Sequence, residues 1–324
     1  MKRLHAVAAV CGVALLVTVC YARAQSYPNR PVRLVVGFPP GGGADFVARV
    51  AAQTLSENLN QQVFVDNRPG ANSIIACEFV ARASPDGYTL LLGVTASHAI
   101  NPNVYSKLPY DAVKDFAPIT NMGFSPLILV INPSLPVNSV MELIALAKAK
   151  PGQLNFASAG NGNVTHLAAE LFRSMTGVSM IHVPYKGSVA AITDLIAGQI
   201  SLYFDTMPSS LPHVRGNRLR ALAVTSAKRS RAAPDIPTVA ESGVPGFEIT
   251  NWSGVFAPAA TPQEIVKKLN TELVKGLNRP ELQGPFAKQG MEVIGNTPEQ
   301  FATALKSEIM KWSKIAEAAN IRID

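Results

Sequence analysis

Short apolar runs alternate with stretches of helical spacing along nearly the whole chain, and this alternation limits the fold more than any other feature. Runs at 32–36, 62–66, 88–94, 127–131, 154–157, 180–183, 200–204 and 219–224 read as buried strands. Most are separated by segments with helical periodicity, at 46–55, 71–83, 164–176 and 188–197. Ser139-Val140-Met141-Glu142 sets a capping box for a helix running to Lys150, Gly177 closes the 164–176 helix, and Thr261-Pro262-Gln263-Glu264 and Thr297-Pro298-Glu299-Gln300 each open a tail helix with a capping threonine. Helices between strands at this spacing predict parallel pairing with right-handed crossovers. The length exceeds what one core usually serves, and neither a repeat nor a low-complexity linker interrupts it. The expectation is two α/β domains, hinged directly on one another, with a cleft between them.

The first unit carries the strongest local signal. After the strand at 32–36 come Gly37, Phe38, Pro39, Pro40 and then Gly41, Gly42 and Gly43, a run that no helix or sheet interior tolerates. Helical spacing resumes at Phe46. Strand, glycine turn and helix in that order aim orphan backbone N–H groups and a helix macrodipole at the mouth of the turn, a seat for carboxylate or phosphate. The Gly-Lys-Ser/Thr ending of a Walker loop is missing, because Ala44 and Asp45 follow Gly43, and Phe46 replaces the third glycine of a dinucleotide fingerprint. A small anion therefore fits better than a nucleotide. The same residues also suit a turn that only redirects the chain.

Lys2 and Arg3, an apolar stretch at 6–19 and Ala22-Arg23-Ala24 form the three parts of a secretory signal peptide, cut after Ala24. The apolar stretch is short for a membrane span, and Val19 before Cys20 departs from a lipobox, so export as a soluble chain to the periplasm is expected. Cleavage removes Cys11 and Cys20 and leaves Cys77 in an apolar helical stretch, where a buried inert thiol is expected. Losing Lys2, Arg3 and Arg23 lowers the formal charge from +7 to +4. That mild, dispersed basicity steers small anions, and no Lys/Arg block suggests nucleic acid. The expectations include neither a cofactor nor a metal, since no His/Cys/Asp/Glu cluster has ligand spacing.

Ligands of open α/β sheets bind beyond the carboxyl ends of the strands. Those ends carry the Phe38–glycine turn, then Arg68-Pro69-Gly70-Ala71-Asn72-Ser73, then Thr95-Ala96-Ser97-His98. In the second half they carry Ser158 to His166, then Pro184-Tyr185-Lys186-Gly187-Ser188, then Asp205-Thr206. Small hydrogen-bonding residues thus recur at nearly every strand end, several of them at helix N-termini.

These loops carry a resemblance. Tyr27-Pro28-Asn29-Arg30-Pro31, Gly37-Phe38-Pro39-Pro40-Gly41-Gly42, Asn67-Arg68-Pro69-Gly70-Ala71 and Pro85-Asp86-Gly87-Tyr88-Thr89-Leu90 resemble segments of the Bug family of periplasmic solute receptors, which serve tripartite tricarboxylate transporters. Leu108-Pro109-Tyr110-Asp111, Ser158-Ala159-Gly160-Asn161-Gly162, the 166–172 run, Val183-Pro184-Tyr185-Lys186-Gly187, the 235–241 run and Trp252 extend it over essentially the whole mature chain. The resemblance implies a two-lobed periplasmic binding protein of Venus-flytrap type, each lobe a mostly parallel sheet flanked by helices, with two crossover hinges. It implies lobes at 25–125 plus 252–324 and at 126–251, and hinges near Phe124-Ser125-Pro126 and Ile249-Thr250-Asn251-Trp252. The implied function is capture of a small carboxylate for membrane permease subunits by a monomeric receptor that is not an enzyme. Carried onto this chain, the first-lobe seat is Phe38, Gly41, Gly42, Ser73 and Ser97, and the second lobe offers Asn161, Thr165 and Asp205. Relatives typically read Gly-Ala-Gly-Gly where this chain reads Gly70-Ala71-Asn72-Ser73, followed by Ile74. The Ser73 side chain is expected to narrow the pocket, which would favour a smaller or less polar ligand than a di- or tricarboxylate.

Several residues admit a plainer role. Asp45 either faces the cleft or only occupies a first helical turn, where acids suit the dipole. Asp205 either reaches the cleft or closes an Asx turn. His98 and His166 suit structural positions, Trp252 suits packing at the crossover, and Lys186 faces solvent. The alternative function is a secreted α/β hydrolase acting on a small carboxylate or ester, but no Gly-x-Ser-x-Gly elbow occurs in the chain.

Overall fold

The computed structural model describes residues 27–318 and 321–323. The leader, its cleavage site, Cys11 and Cys20 lie outside the described residues.

Two sheets share one long strand. The first half gives β1 (Val32–Val36), α1 (Gly43–Leu59), β2 (Val63–Asn67), α2 (Ile74–Ala81), β3 (Thr89–Val94) and α3 (Asn101–Val104). β1 lies parallel between β2 and β3. The long strand β4 (Phe116–Ile131) then leads into α4 (Val140–Ala149), β5 (Asn155–Ser158), α5 (Val164–Thr176), β6 (Ile181–Pro184), α6 (Ser188–Ile196) and β7 (Leu202–Thr206). β5 lies parallel between β6 and β7. α7 (Met207–Arg215), β8 (Arg220–Val224), β9 (Thr250–Pro258), α8 (Gln263–Leu277), α9 (Pro280–Lys288), β10 (Glu292–Val293) and α10 (Pro298–Ala318) complete the chain. The fold is the expected two-lobed α/β architecture.

Each parallel triplet is joined to the rest by antiparallel strands. β9 pairs β3 and the first part of β4, whereas the last five residues of β4 run between β7 and β8. Opposite one another where β4 leaves the first sheet stand Phe124 and Trp252, Ser125 and Asn251, and Pro126 and Thr250. The apolar run at 127–131 is thus only the end of a strand that starts at Phe116. Pro118, Gly123 and Pro126 hide its beginning from pattern reading, and the pairing slips beside Pro118 and Gly123 as irregular antiparallel strands do.

Alternation along the strands explains how both faces are covered. Leu34, Val36, Leu90 and Leu92 pack under α1 and α8 with Val47, Leu55 and Leu269, while Val35 and Leu91 face the other way. In the second sheet Leu127, Leu129 and Ile131 share one core with Phe156 and Phe172, and Ile128 and Val130 share another with Ile192 and Tyr203. Two apolar faces per strand are what parallel crossovers require. Each such side chain contributes about 1.5–3 kcal/mol by leaving water.

Local signals mostly act as read. Ser139 Oγ accepts from the Glu142 amide at 3.1 Å. Thr297 and Gln300 cap reciprocally, at 3.3 and 3.0 Å. Two readings change. The helix expected at 71–83 begins only at Ile74, because Ala71, Asn72 and Ser73 all adopt left-handed backbone (φ 45, 50 and 73°). Thr261 does not cap α8, and its hydroxyl is buried without a partner.

Candidate functional site

The glycine turn after β1 is held from behind. Asp45, 3 % exposed, accepts hydrogen bonds from the Gly41 amide (3.0 Å), Arg49 Nε (2.8 Å) and Asn67 Nδ2 (3.0 Å). Burial pushes its pKa up, but the bonds from Arg49, Gly41 and Asn67 outweigh it and hold the carboxyl below the usual range. Asn67 also donates to the Phe38 carbonyl at 3.0 Å, so the loop and α1 are tied to β2. Gly41 needs its left-handed conformation (φ 88°), and Gly42 and Gly43 then open α1 without a side-chain cap.

Opposite stand two helix starts of the second sheet. Asn163 caps α5 by accepting from the Thr165 amide at 3.1 Å, and Thr165 Oγ1 accepts from the Ala159 amide at 2.9 Å. α6 opens at Gly187 (φ 136°) with no side-chain cap, and a Cβ on that glycine would sit 3.0 Å from Pro39. Behind α6, Asp205 is sealed from solvent and accepts from the hydroxyls of Ser188 and Ser210, both at 2.7 Å. Burial raises its pKa to about 6, while these hydroxyls pull the other way. The lobes are shut on one another, with the Gly43 amide donating to Ser209 Oγ at 3.1 Å across the cleft.

The N-termini of α1, α5 and α6 meet around a cavity of about 330 Å³. Among the described residues the amides of Ala44, Val189 and Ala190, all on its wall, have no protein acceptor. Three macrodipoles and unpaired amides on one cavity form a positive seat that needs no arginine. The rest of the wall is largely apolar, with Phe38, Pro39, Pro40, Val94, Ala96 and Val164. A second cavity of about 770 Å³ adjoins it, reached by Asn72, Tyr105, Asn161 and Tyr185, and Phe38, Pro39, Ala159 and Lys186 line both.

The residues singled out from sequence separate accordingly. Phe38, Gly42 and Thr165 line the first cavity and Asn161 the second. Gly41 stands on the turn beside Val189. Asp45, Ser73, Ser97 and Asp205 are buried behind the walls. Ser73 is turned toward Gly37, where a Cβ would lie 1.8 Å from its Oγ, so its side chain fills that hollow and does not narrow the pocket. Ser97 Oγ is engaged by Val94 and by His98 Nδ1. Gly43, Asn163, Ser188 and Thr206, all on the strand-end loops read from sequence but not among the expected ligand contacts, also line the first cavity, as does Asn251. For Asn163 a signal existed, an Asx cap two residues before Thr165.

Comparison with known proteins settles the ancestry. The description "Tripartite tricarboxylate transporter family receptor" matches residues 47–321. This chain belongs to that receptor family. BugT of Bordetella pertussis is 38 % identical over 301 residues, 93 % of this chain and 92 % of BugT. The solved structure of Rpa4515 from R. palustris with adipate is 40 % identical, with a TM-score of 0.90 over 91 % of this chain and 99 % of that one. MatC from Rhodopseudomonas palustris with bound malate is 30 % identical, with a TM-score of 0.85 over 89 % of this chain and 99 % of that one.

Among the described residues of this family receptor, no histidine lines either cavity. His98 is fully buried, stacked on Phe256 at 4.1 Å, and burial lowers its pKa to about 3. His166 stacks on His182 at 3.9 Å, and burial together with the His166 charge lowers His182 to about 4. Trp252 packs edge-on against Phe301 at 5.5 Å beside the strand crossover. Cys77 is sealed, its thiol pushed up to about 12 by burial. Lys186 is exposed and stands at the junction of the two cavities. Among the described residues no helix is long and apolar enough to cross a membrane.

Proposed function

We propose that this receptor captures a small carboxylate with a substantially apolar body between lobes 25–125 plus 252–324 and 126–251. It binds in the periplasm after cleavage behind Ala24 and delivers the ligand, as a monomer, to membrane permease subunits. The observation that carries the reading is the convergence of three helix N-termini from two sheets on one largely apolar cavity. The carboxylate accepts from the free amides of Ala44, Val189 and Ala190, and Phe38, Val94 and Val164 take its carbon skeleton. The first lobe holds the acid first, and the α5 and α6 loops then swing over it about the paired segments 124–126 and 250–252. Ligand bridging both lobes stabilises the shut form, which a permease can distinguish from the open one. Adipate in a 40 %-identical relative and malate in a 30 %-identical one support carboxylate as the class.

The receptor reading also assigns the ligand no chemical change. Ser97 Oγ and His98 Nδ1 stand 2.8 Å apart, but both are sealed in the core and the imidazole is a very weak base. The test is mass spectrometry of acids that co-purify with the protein expressed with its own leader. Calorimetric titration with hexanoate, adipate, malate and citrate follows, with NMR of the recovered acid. Saturable binding, strongest for the less polar acids, and unchanged recovery are expected. No binding by any carboxylate, or conversion of the acid, overturns the function. Citrate binding tightest overturns the apolar-body assignment alone.

A further inference from the structure

The loop between β2 and α2 supplies a side-chain hydrogen bond across the cleft. Asn72 lines the second cavity, Asn163 lines the first, and Asn163 Nδ2 donates to Asn72 Oδ1 at 3.1 Å. Asn72 is anchored on its own side, since its Nδ2 donates to Asn101 Oδ1 at 2.7 Å and its carbonyl accepts from Asn101 Nδ2 at 3.1 Å. Asn101 is fully buried and also donates to the Tyr110 hydroxyl at 3.1 Å. Asn163 is equally fixed, because its Oδ1 is committed to the Thr165 amide as the α5 cap. Two immobilised amides therefore meet with little rotamer freedom left to lose. The backbone is bent to allow it: Ala71, Asn72 and Ser73 are three consecutive non-glycine residues at positive φ, a conformation that side chains oppose and that persists only when surroundings impose it. Gly37 provides the hollow that accepts Ser73 and so permits the run.

We propose that Asn72 is a closure latch, setting how long the shut form lasts through Asn163 and not through contact with the ligand. That part of the inference concerned with ligand release rests on the receptor reading; the part concerned with closure does not. A hydrogen bond made only in the shut form slows opening and leaves capture by the open form untouched. Ligand dissociation from Asn72→Ala should accelerate about five-fold, with the association rate within two-fold of the parent.

The experiment uses the mature chain with spin labels at Lys148→Cys and Lys267→Cys, one exposed site on each lobe, Cys77 being buried and unreactive. Inter-lobe distances are measured without ligand and with saturating adipate, and adipate release is followed by stopped flow. Asn72→Ala and Asn163→Ser, the latter retaining a cap oxygen for α5, should each reduce the shut population, and the double variant should add nothing further. Asn72→Gly, which relieves the backbone strain but offers no amide, should behave as Asn72→Ala. Asn72→Asp, which keeps the acceptor for Asn163 and tolerates positive φ but loses the Nδ2 bond to Asn101, should recover only part of the closure lost in Asn72→Ala. Unchanged distances and release rates in Asn72→Ala and Asn72→Gly overturn the proposal, as does additivity of the two single variants. Should adipate fail to bind the parent, the carboxylate reading is tested by the titrations above, and the ligand-free distance distributions alone decide the latch: identical distributions in parent and Asn72→Gly overturn it.

Discussion

Gly43→Ala separates closure of the cleft from folding of the lobes. Gly43 is the first residue of α1 and has ordinary helical backbone, so alanine there brings no strain and is a better helix former. In the shut form, however, its Cβ would lie 2.8 Å from Thr206 Oγ1 and 3.3 Å from Thr206 Cβ on the opposite lobe. Ordinary contact starts near 3.4 Å, and Thr206 Oγ1 is held by donating to Ser209 Oγ at 2.9 Å, so relief without breaking that bond parts the lobes by roughly 0.6 Å at this point. That displacement stretches the 3.1 Å bond from the Gly43 amide to Ser209 Oγ beyond hydrogen-bonding range, a loss of about 1 kcal/mol. Overpacking and weakened neighbouring contacts add about 1 kcal/mol more. About 2 kcal/mol against the shut form lowers ligand affinity about thirty-fold. Calorimetric titration with adipate measures the affinity, and thermal unfolding without ligand, expected unchanged or slightly raised, shows that the fold is intact. Adding Thr206→Ala should recover most of the loss. Affinity within two-fold of the parent in a folded Gly43→Ala protein would refute closure through this contact.

Other expectations follow from single features. His98 is buried and titrates near 3, whereas in the unfolded chain it takes its proton near 6.5. Its contribution is complete above pH 6.5 and is lost as pH falls, by about 3 kcal/mol at pH 4; urea unfolding at pH 7 and 4 should show a smaller acid loss in His98→Phe, and parallel losses would contradict this. Thr297→Ala removes one side of the capping pair with Gln300 and should lower stability by about 1 kcal/mol in denaturant titration. Thr261→Val should cost nothing, because the hydroxyl it removes is buried and unpaired. Lys186→Met, at the junction of the cavities, should slow association of a carboxylate a few-fold at low salt and flatten its salt dependence, read by stopped flow.

The alternation of apolar runs and helical stretches by itself determined the two α/β units, because period and capping are local properties. Leu34 and Val35 belong on opposite faces in any strand, and Thr297-Pro298-Glu299-Gln300 starts a helix wherever it lies. The Pro-Pro-Gly-Gly-Gly turn likewise told where amides would be exposed. Tertiary structure decided which groups reach the ligand cavity. Asp45 and Asp205 are polar residues at strand ends, yet both are spent bracing loops, through Gly41 and Asn67 in one case and Ser188 and Ser210 in the other. Ser73 turns inward because Gly37, distant in sequence, leaves a hollow there, and that inversion puts Asn72 on the cleft facing Asn163. The direction of a side chain in a loop depends on the sign of a few backbone angles and on neighbours brought up from elsewhere in the chain, and neither has a period that a sequence can display.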